Sequence, residues 1–188
     1  FREKHPNVTF SVTSRTSLEV LTLLSNFEID AGISYLDNEP LGRVTSVPLY
    51  SERYQLITAA GNTYSDRKSV TWAEVGQLPL CLLTKDMQNR RLINKHLQDA
   101  GVEVHPTLES NSMIVLFSHI RTGKWGSIMP LNLSETLGFA EPIRSIAIVE
   151  PDARHVVGLV TADREPHTPL VSAFLHEART LAATMDGF

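Results

Sequence analysis

The sequence contains one cysteine among its 188 residues, Cys81. A single thiol cannot form an intrachain disulfide, so a small secreted fold held by disulfides is excluded and a reducing compartment is compatible. Cys81 lies inside the apolar segment 80–83. Because reactive thiols need partly exposed, electropositive surroundings, this position predicts a small buried side chain.

Long apolar runs and an excess of positive charge are also lacking. No stretch of about 18 apolar residues is present, which argues against a membrane-spanning helix. The first six residues have no apolar signal region and resemble the end of a helix, so we expect the chain to be a piece of a longer one. Seventeen Lys and Arg against 21 Asp and Glu give a net charge of −4. That balance argues against a nucleic-acid-binding surface on this segment.

Sequence motifs of common catalytic and cofactor sites are absent as well. There is no GxSxG, HExxH, GxGxxG or GxxxxGK[ST] pattern, and the seven histidines are scattered singly. These motifs place nucleophiles, metal ligands or phosphate-binding loops at fixed spacings. The sequence therefore predicts no enzyme activity, no metal site and no cofactor.

Strand patterns alternating with capped helices are what the sequence does show, over a length that suits one large domain or two small lobes. Thr16 with Glu19, and Thr71 with Glu74, have capping-box spacing. Gly101 follows a helix predicted from about 87 to 100, and Thr168 precedes a proline at a helix start. The order predicts an α/β fold with mainly parallel sheets. The predicted strands are 8–12, 31–35, 44–49, 54–59, 80–83, 126–129, 146–149 and 156–161.

Hydroxyl and amide side chains follow several of these strands, in segments 14–17, 84–87 and 110–112. Ligands of parallel sheets bind beyond the carboxyl ends of the strands, near helix N-termini that carry unpaired N–H groups. Each residue also has an ordinary role as a helix cap. If two such N-termini converge, they form a site for a small anion. Arg15 and Arg90 are close in sequence and would add charge, but we expect both on the solvated surface.

The helix predicted to begin at Asn111 or Ser112 is apolar on all sides from Met113 to Phe117. Helices of this kind are usually buried. In a small lobe, a partner subunit can supply the burial of the outward side. Trp72 and Trp125 are predicted to pack in a lobe core or at a hinge.

Several segments in order carry a resemblance to a known family. They are residues 1–8, 29–33, 47–52, 78–79, 109–110, 121–123 and 125–130. In these segments, and in their spacing over essentially the whole chain, the sequence resembles the effector-binding domain of LysR-type transcriptional regulators.

The resemblance implies a two-lobed fold like that of type 2 periplasmic binding proteins. Lobe I would comprise 1–60, without the first strand of the family, and 157–188, and lobe II would comprise 61–156. It also implies a small-molecule effector, often a small organic acid, in the cleft between the lobes. By this resemblance, the residues expected to contact the effector are Thr16, Ser17, Thr84, Asn111 and Ser112.

The same resemblance implies a cytoplasmic protein that forms a homodimer or homotetramer, with side-by-side antiparallel pairing of these domains. DNA would be bound only through an N-terminal helix-turn-helix domain that lies outside this chain. One cysteine cannot form the disulfide switch of the peroxide-sensing members. Two alternatives stay open: a solute-binding receptor of a transporter with the same fold, and an enzyme on an α/β scaffold, which no constellation of side chains supports.

Overall fold

The computed structural model describes residues 1–137 and 142–184. The chain divides into two compact units: unit 1 comprises Phe1–Ser51 and His155–Phe188, and unit 2 comprises Glu52–Arg154. The elements in chain order are α1 (Ser17–Ser25), β1 (Gly32–Tyr35), β2 (Val44–Ala59), β3 (Ser69–Thr71), α2 (Trp72–Val75), β4 (Cys81–Leu83), α3 (Gln88–Asp99), β5 (Leu108–Ser110), α4 (Met113–Ile120), β6 (Ser127–Pro130), α5 (Leu131–Leu137), β7 (Ile143–Val149), β8 (Arg154–Ala162) and α6 (Pro169–Ala182).

Unit 1 is a three-stranded arrangement, β1–β8–β2, with a helix on each face. β1 pairs antiparallel with β8, with Gly32 opposite Val160. Val20 and Leu24 lie one helical turn apart on α1 and pack on Val160, whereas α6 covers the other face. A Cβ atom at Gly32 would lie 2.4 Å from a methyl carbon of Val20, so glycine allows α1 to approach the sheet.

Unit 2 contains two sheets and two apolar clusters. β2 pairs antiparallel with β6 and β7, β3 pairs parallel with β7, and β4 pairs parallel with β5. One cluster surrounds the fully buried Trp72, whose indole N–H donates to the Pro151 carbonyl oxygen over 3.1 Å. The other includes Cys81 with Leu116 and Ile120 of α4. Trp72 thus packs in a core, as predicted.

The α/β class is confirmed, but the expectation of mainly parallel sheets needs correction. The pairs β1–β8, β2–β6 and β2–β7 are antiparallel, while β3–β7 and β4–β5 are parallel. Each antiparallel pair contains β2 or β8. The parallel pair β4–β5 is joined by a single helix, α3, whereas none of the three antiparallel pairs is, so the crossover rule that makes βαβ strands parallel does not fix the direction of those pairs.

β2 also differs from the prediction, which divided it into strands 44–49 and 54–59. The strand is continuous, and the division between the units falls within it, between Ser51 and Glu52. Glu52 and Tyr54 are buried while Arg53 is exposed. This alternation is that of a strand, so the polar triplet at 51–53 does not interrupt it. The first division between the units, at 51/52, lies nine residues before the expected lobe boundary at 60/61, and the second, at 154/155, lies two residues before the expected boundary at 156/157.

Residues 8–12, predicted as a half-buried strand, form neither a helix nor a strand. Within the described residues no strand pairs with this segment, and Val12 is 89% exposed. An alternating pattern gives a strand only where a neighbour supplies the hydrogen bonds. The segment before it lies against α6 instead: the Phe1 ring is 5.1 Å from that of Phe174, and Lys4 pairs with Glu177 at 2.7 Å.

None of the helices in the described part of the chain has the length and apolar composition that a bilayer crossing needs.

Candidate functional site

In unit 2, two polar loops lie side by side at the carboxyl ends of β4 and β5. Thr84 directly follows β4, and its N–H donates to the Ser110 carbonyl oxygen over 3.2 Å. Ser112 lies two residues beyond Ser110, and its N–H donates to the Ser110 hydroxyl over 3.1 Å. The structure therefore brings the predicted contact residues Thr84, Asn111 and Ser112 into one loop pair, because β4 and β5 are parallel neighbours.

Hydroxyl groups in this loop pair retain unused hydrogen-bonding capacity. The Thr84 hydroxyl oxygen is buried and has no hydrogen-bond partner among the described residues. Ser112 is the N-cap of α4, yet its side chain makes no capping hydrogen bond. A helix start of this kind presents N–H groups and the positive end of the helix dipole. The arrangement is suited to donate hydrogen bonds to an anion.

Arg90 corrects the sequence-based expectation, because it is buried rather than solvated. Its guanidinium is 1% exposed and donates to the Leu83 carbonyl oxygen, to Glu109 Oε1 at 2.6 Å and to Asn94 Oδ1 at 2.8 Å. An arginine this deep needs a charged partner. Arg90 therefore ties α3 to the ends of β4 and β5, beside Thr84 and Ser110.

In unit 1, the start of α1 is closed by the capping box that the sequence predicted. The N–H and the hydroxyl of Thr16 both donate to Glu19 Oε2 at 2.8 Å, and the Glu19 N–H donates back to the Thr16 hydroxyl at 3.2 Å. The half-buried Ser17 is the first residue of the helix. Arg15 is exposed, as expected, and donates to the Ser14 carbonyl oxygen over 2.9 Å.

The five predicted contact residues thus fall into two groups, Thr16 and Ser17 in unit 1 and Thr84, Asn111 and Ser112 in unit 2. The sequence predicted the capping box of Thr16 with Glu19, because its spacing defines both the helix start and the hydrogen bonds used there. Sequence reasoning missed the pairing of Arg90 with Glu109. That pairing depends on a contact across 19 residues, for which the sequence has no periodic signal.

Cys81 is buried, as predicted. Its Sγ lies 3.5 Å from the Gly126 carbonyl oxygen, and burial raises the pKa of the thiol to about 11. The folded state thus favours the neutral thiol. The resulting contribution to folding stability is fully present at pH values below the pKa of an exposed thiol, and it is lost as the pH rises through about 11. Near neutral pH the group is a small apolar side chain.

Across residues 1–137 and 142–184, no group of three or more His, Cys, Asp or Glu side chains is placed to hold a metal ion.

Two curated relatives resemble part of this chain. Each is described as a probable nitrogen assimilation transcriptional activator. The protein of Synechococcus elongatus is 24% identical over 134 residues, which are 69% of this chain and 43% of that protein. The protein of Synechocystis is 22% identical over 131 residues, 69% of this chain and 42% of that protein. This chain spans less than half the length of the curated relatives it matches.

Solved structures share the fold over nearly the whole chain. The effector binding domain of QuiR in complex with shikimate has a TM-score of 0.84 at 18% identity, covering 99% of this chain and 87% of that one. The regulatory domain of CcmR from Synechocystis in complex with 2-PG has a TM-score of 0.83 at 14% identity, covering 98% and 88%. At these identities the likeness shows the fold, which confirms the predicted fold class.

The family itself is shown by a match over most of the sequence. The sequence-family model described as the LysR substrate binding domain matches residues 1–183. That span includes all the elements from α1 to α6. The chain therefore belongs to the LysR substrate binding domain family.

Proposed function

We propose that this chain is the effector-sensing domain of a LysR-type transcriptional regulator, and that its effector is a small organic acid or another small anion. The observation that carries the proposal is the loop pair of unit 2. There the buried Thr84 hydroxyl has no partner among the described residues, and α4 begins at Ser112 with no side-chain cap. Anions are stabilised at such helix starts.

The contact residues we propose are Thr84, Asn111 and Ser112 in unit 2 and Thr16 and Ser17 in unit 1. The unit 2 group is supported by the hydrogen bonds that hold Thr84 against Ser110. The structures of QuiR and CcmR, which share this fold, hold shikimate and 2-PG. Binding without a catalytic group, metal or cofactor fits this arrangement, and we propose that the domain is not an enzyme.

Effector binding would act by shifting an equilibrium between conformations of the regulator. The shift can be no larger than the difference in effector affinity between the two conformations. Its output would pass to an N-terminal DNA-binding domain outside this chain, in a cytoplasmic protein. The relatives named as transcriptional activators support a regulator over the alternative of a transporter receptor. The coding sequence upstream of this chain would distinguish the two alternatives. A helix-turn-helix domain there would support the regulator, and a secretion signal would support the transporter receptor.

A thermal-shift screen of the full-length protein tests this proposal. The panel contains small carboxylates, aromatic acids, amino acids and inorganic anions. A true effector at about 100 times its Kd stabilises the fold by about 2.7 kcal/mol. For a domain of this size that is a rise in melting temperature of about 5 to 11 °C. A hit among the acids supports the proposal, whereas a flat screen on folded protein contradicts an anionic effector.

We also propose that the domain forms a homodimer through apolar residues on α1 and α4. Leu18 on α1 is 72% exposed and Ile114 on α4 is 77% exposed, although Leu116 and Ile120 on the same helix are buried. Val115, next to Ile114 at the start of α4, is 38% exposed as well, and neighbouring exposed apolar side chains are typical of a protein interface. A second copy would cover the outward side of α4, and a tetramer would need further contacts.

Changing Ile114 to aspartate is expected to convert the dimer into a monomer. The carboxylate would lose its hydration in an apolar interface, while an acidic residue in the first turn of α4 suits the helix dipole and leaves the fold intact. Size-exclusion chromatography with light scattering measures the mass. Leu181→Asp, at an exposed position on α6, is the matched control and should stay dimeric. An unchanged mass for the Ile114 variant would remove α4 from the interface.

A further inference from the structure

One nitrogen atom of Arg90 joins the ends of β4 and β5. Its Nη1 donates to the Leu83 carbonyl oxygen and to Glu109 Oε1, the latter at 2.6 Å. Its Nε donates to Asn94 Oδ1, one turn further along α3, at 2.8 Å. The side chain is 1% exposed, so water has little access to these hydrogen bonds. The guanidinium therefore holds the ends of two strands in place relative to one helix.

The two strand residues that Arg90 contacts each come directly before a residue of the loop pair. Thr84 follows Leu83, and Ser110 follows Glu109. The pairing of β4 with β5 comprises three residue pairs, and it closes with the hydrogen bond from the Thr84 N–H to the Ser110 carbonyl oxygen at 3.2 Å. The end of so short a pairing opens more easily than a core strand does. Arg90 adds a side-chain connection between the strands at that end.

The place of the Thr84 hydroxyl depends on this end of the sheet. Its oxygen is buried and has no hydrogen-bond partner among the described residues. The Ser110 hydroxyl accepts from the N–H of Ser112, the N-cap of α4. A donor stabilises a ligand only if the hydrogen bond is short and nearly straight, which requires rigid support from its surroundings. A shift of β4 against β5 would move Thr84 relative to Ser110 and to the start of α4.

We infer that Arg90 is a positioning residue of the proposed effector site: it fixes the loop of Thr84 against the loop at 110–112, and so sets the affinity for the anion without contacting it. The inference rests on the proposed function, in which these loops hold the anionic group of the effector. All the groups that it uses lie within unit 2. Because the guanidinium acts through the two strands, its loss should weaken the binding of different small anions by similar factors.

The test compares Arg90→Met, Arg90→Lys and Leu97→Ala with the wild type, each as the full-length protein. The probes are the anions of the thermal-shift panel, with acetate, succinate and sulfate among them, and calorimetry at constant ionic strength gives their Kd values. Arg90→Met should weaken the binding of each anion by at least about tenfold, the lower bound for a lost hydrogen bond to a charged group. Arg90→Lys keeps the charge but not the forked geometry, so its affinity should lie closer to that of Arg90→Met than to the wild type.

Leu97→Ala is the matched control for lowered stability. Leu97 lies on the same helix, about 10 Å further along it, and packs in the apolar cluster around Trp72. It is 1% exposed, so its truncation lowers stability to an extent comparable with the change of Arg90. Its side chain makes no hydrogen bond to either strand end. Leu97→Ala should therefore bind every anion within about twofold of the wild type, as expected for separate sites that act independently.

Hydrogen exchange of the Thr84 N–H gives a second readout, which needs no ligand. This N–H closes the pairing with Ser110, and mass spectrometry that resolves single residues follows its exchange. In Arg90→Met the exchange should be accelerated more than in Leu97→Ala, because the end of the pairing then opens locally. A residue that contributes only to global stability would accelerate it equally in both variants.

Three results overturn the inference and leave the proposed function standing. They are an affinity loss in Arg90→Met no larger than that in Leu97→Ala, equal exchange of the Thr84 N–H in these two variants, and wild-type affinity in Arg90→Lys, which would assign the effect to charge alone. If no anion of the panel binds the wild-type protein, the proposed function fails, and the inference with it.

Discussion

Replacing Arg90 with methionine is expected to lower the free energy of unfolding by about 3 kcal/mol, near the lower end of the cost of breaking a buried ion pair. The change removes hydrogen bonds to the Leu83 carbonyl oxygen, Glu109 and Asn94. The carbonyl oxygen then lies beside an apolar side chain, which itself costs about 1 to 3 kcal/mol. Glu109 is partly exposed, so water can solvate its carboxylate in the variant. The loss of unfolding free energy should therefore stay below the largest values known for broken buried ion pairs. The melting temperature should fall by about 6 to 12 °C.

Two variants calibrate this result. Arg90→Lys keeps the positive charge, but an ammonium cannot match the forked geometry of a guanidinium, so about half of the loss should remain. Lys95→Met removes an exposed cation from the same helix, where Lys95 pairs with Asp99 at 3.0 Å; its cost should stay below about 1 kcal/mol. Chemical denaturation of the three variants measures these differences. Equal losses for Arg90→Met and Lys95→Met would show that burial of the guanidinium contributes nothing.

Local features of the chain were predicted well because they depend on neighbours in sequence. The capping boxes at Thr16 and Thr71 form as their spacing indicates. Gly101 adopts a φ of +77° immediately after Ala100, the C-cap of α3, where left-handed dihedrals favour glycine. Thr168 caps α6, with proline at the next position. These contacts span three or four residues, so a short sequence window contains all the information that they need.

Features that depend on distant residues were predicted less well. Arg90 is buried because Glu109 and the end of β4 surround it, and no pattern around residue 90 reports this. The three-residue strands β3 and β5 were missed because so short a run has no visible alternation. Whether β2 and β8 run parallel or antiparallel to their neighbours depends on which strands lie beside them in the sheet. The sequence does not determine that strand order.

The candidate site shows the same division. The sequence places hydroxyl residues after β4 and at the start of α4, but only the pairing of β4 with β5 puts Thr84 against Ser110. The resemblance gave Thr16 and Thr84 the same role. The hydrogen bonds of the two residues give them different chemistry, since Thr16 is committed to Glu19 and the Thr84 hydroxyl has no partner among the described residues.

Changing Ser112 to aspartate is expected to abolish effector binding without unfolding the domain. Aspartate is as good an N-cap as serine, and its charge suits the helix dipole, so α4 should keep or gain stability. The same carboxylate would occupy the place proposed for the anion of the effector. The affinity for the best-binding carboxylate of the panel should fall at least about 100-fold, equal to about 2.7 kcal/mol of binding free energy.

Asparagine at position 112 separates charge from shape in this experiment. It is nearly the same size as aspartate and is also a favoured N-cap, but it is neutral, so the loss of affinity should stay below about tenfold. Calorimetry gives the affinity and thermal melting gives the stability of both variants. A protein that melts at the wild-type temperature and no longer binds the acid places the anion at the start of α4. If Ser112→Asp keeps its affinity, the anion of the effector binds elsewhere. Two negative charges at one helix start repel each other, so an anion bound there would lose affinity.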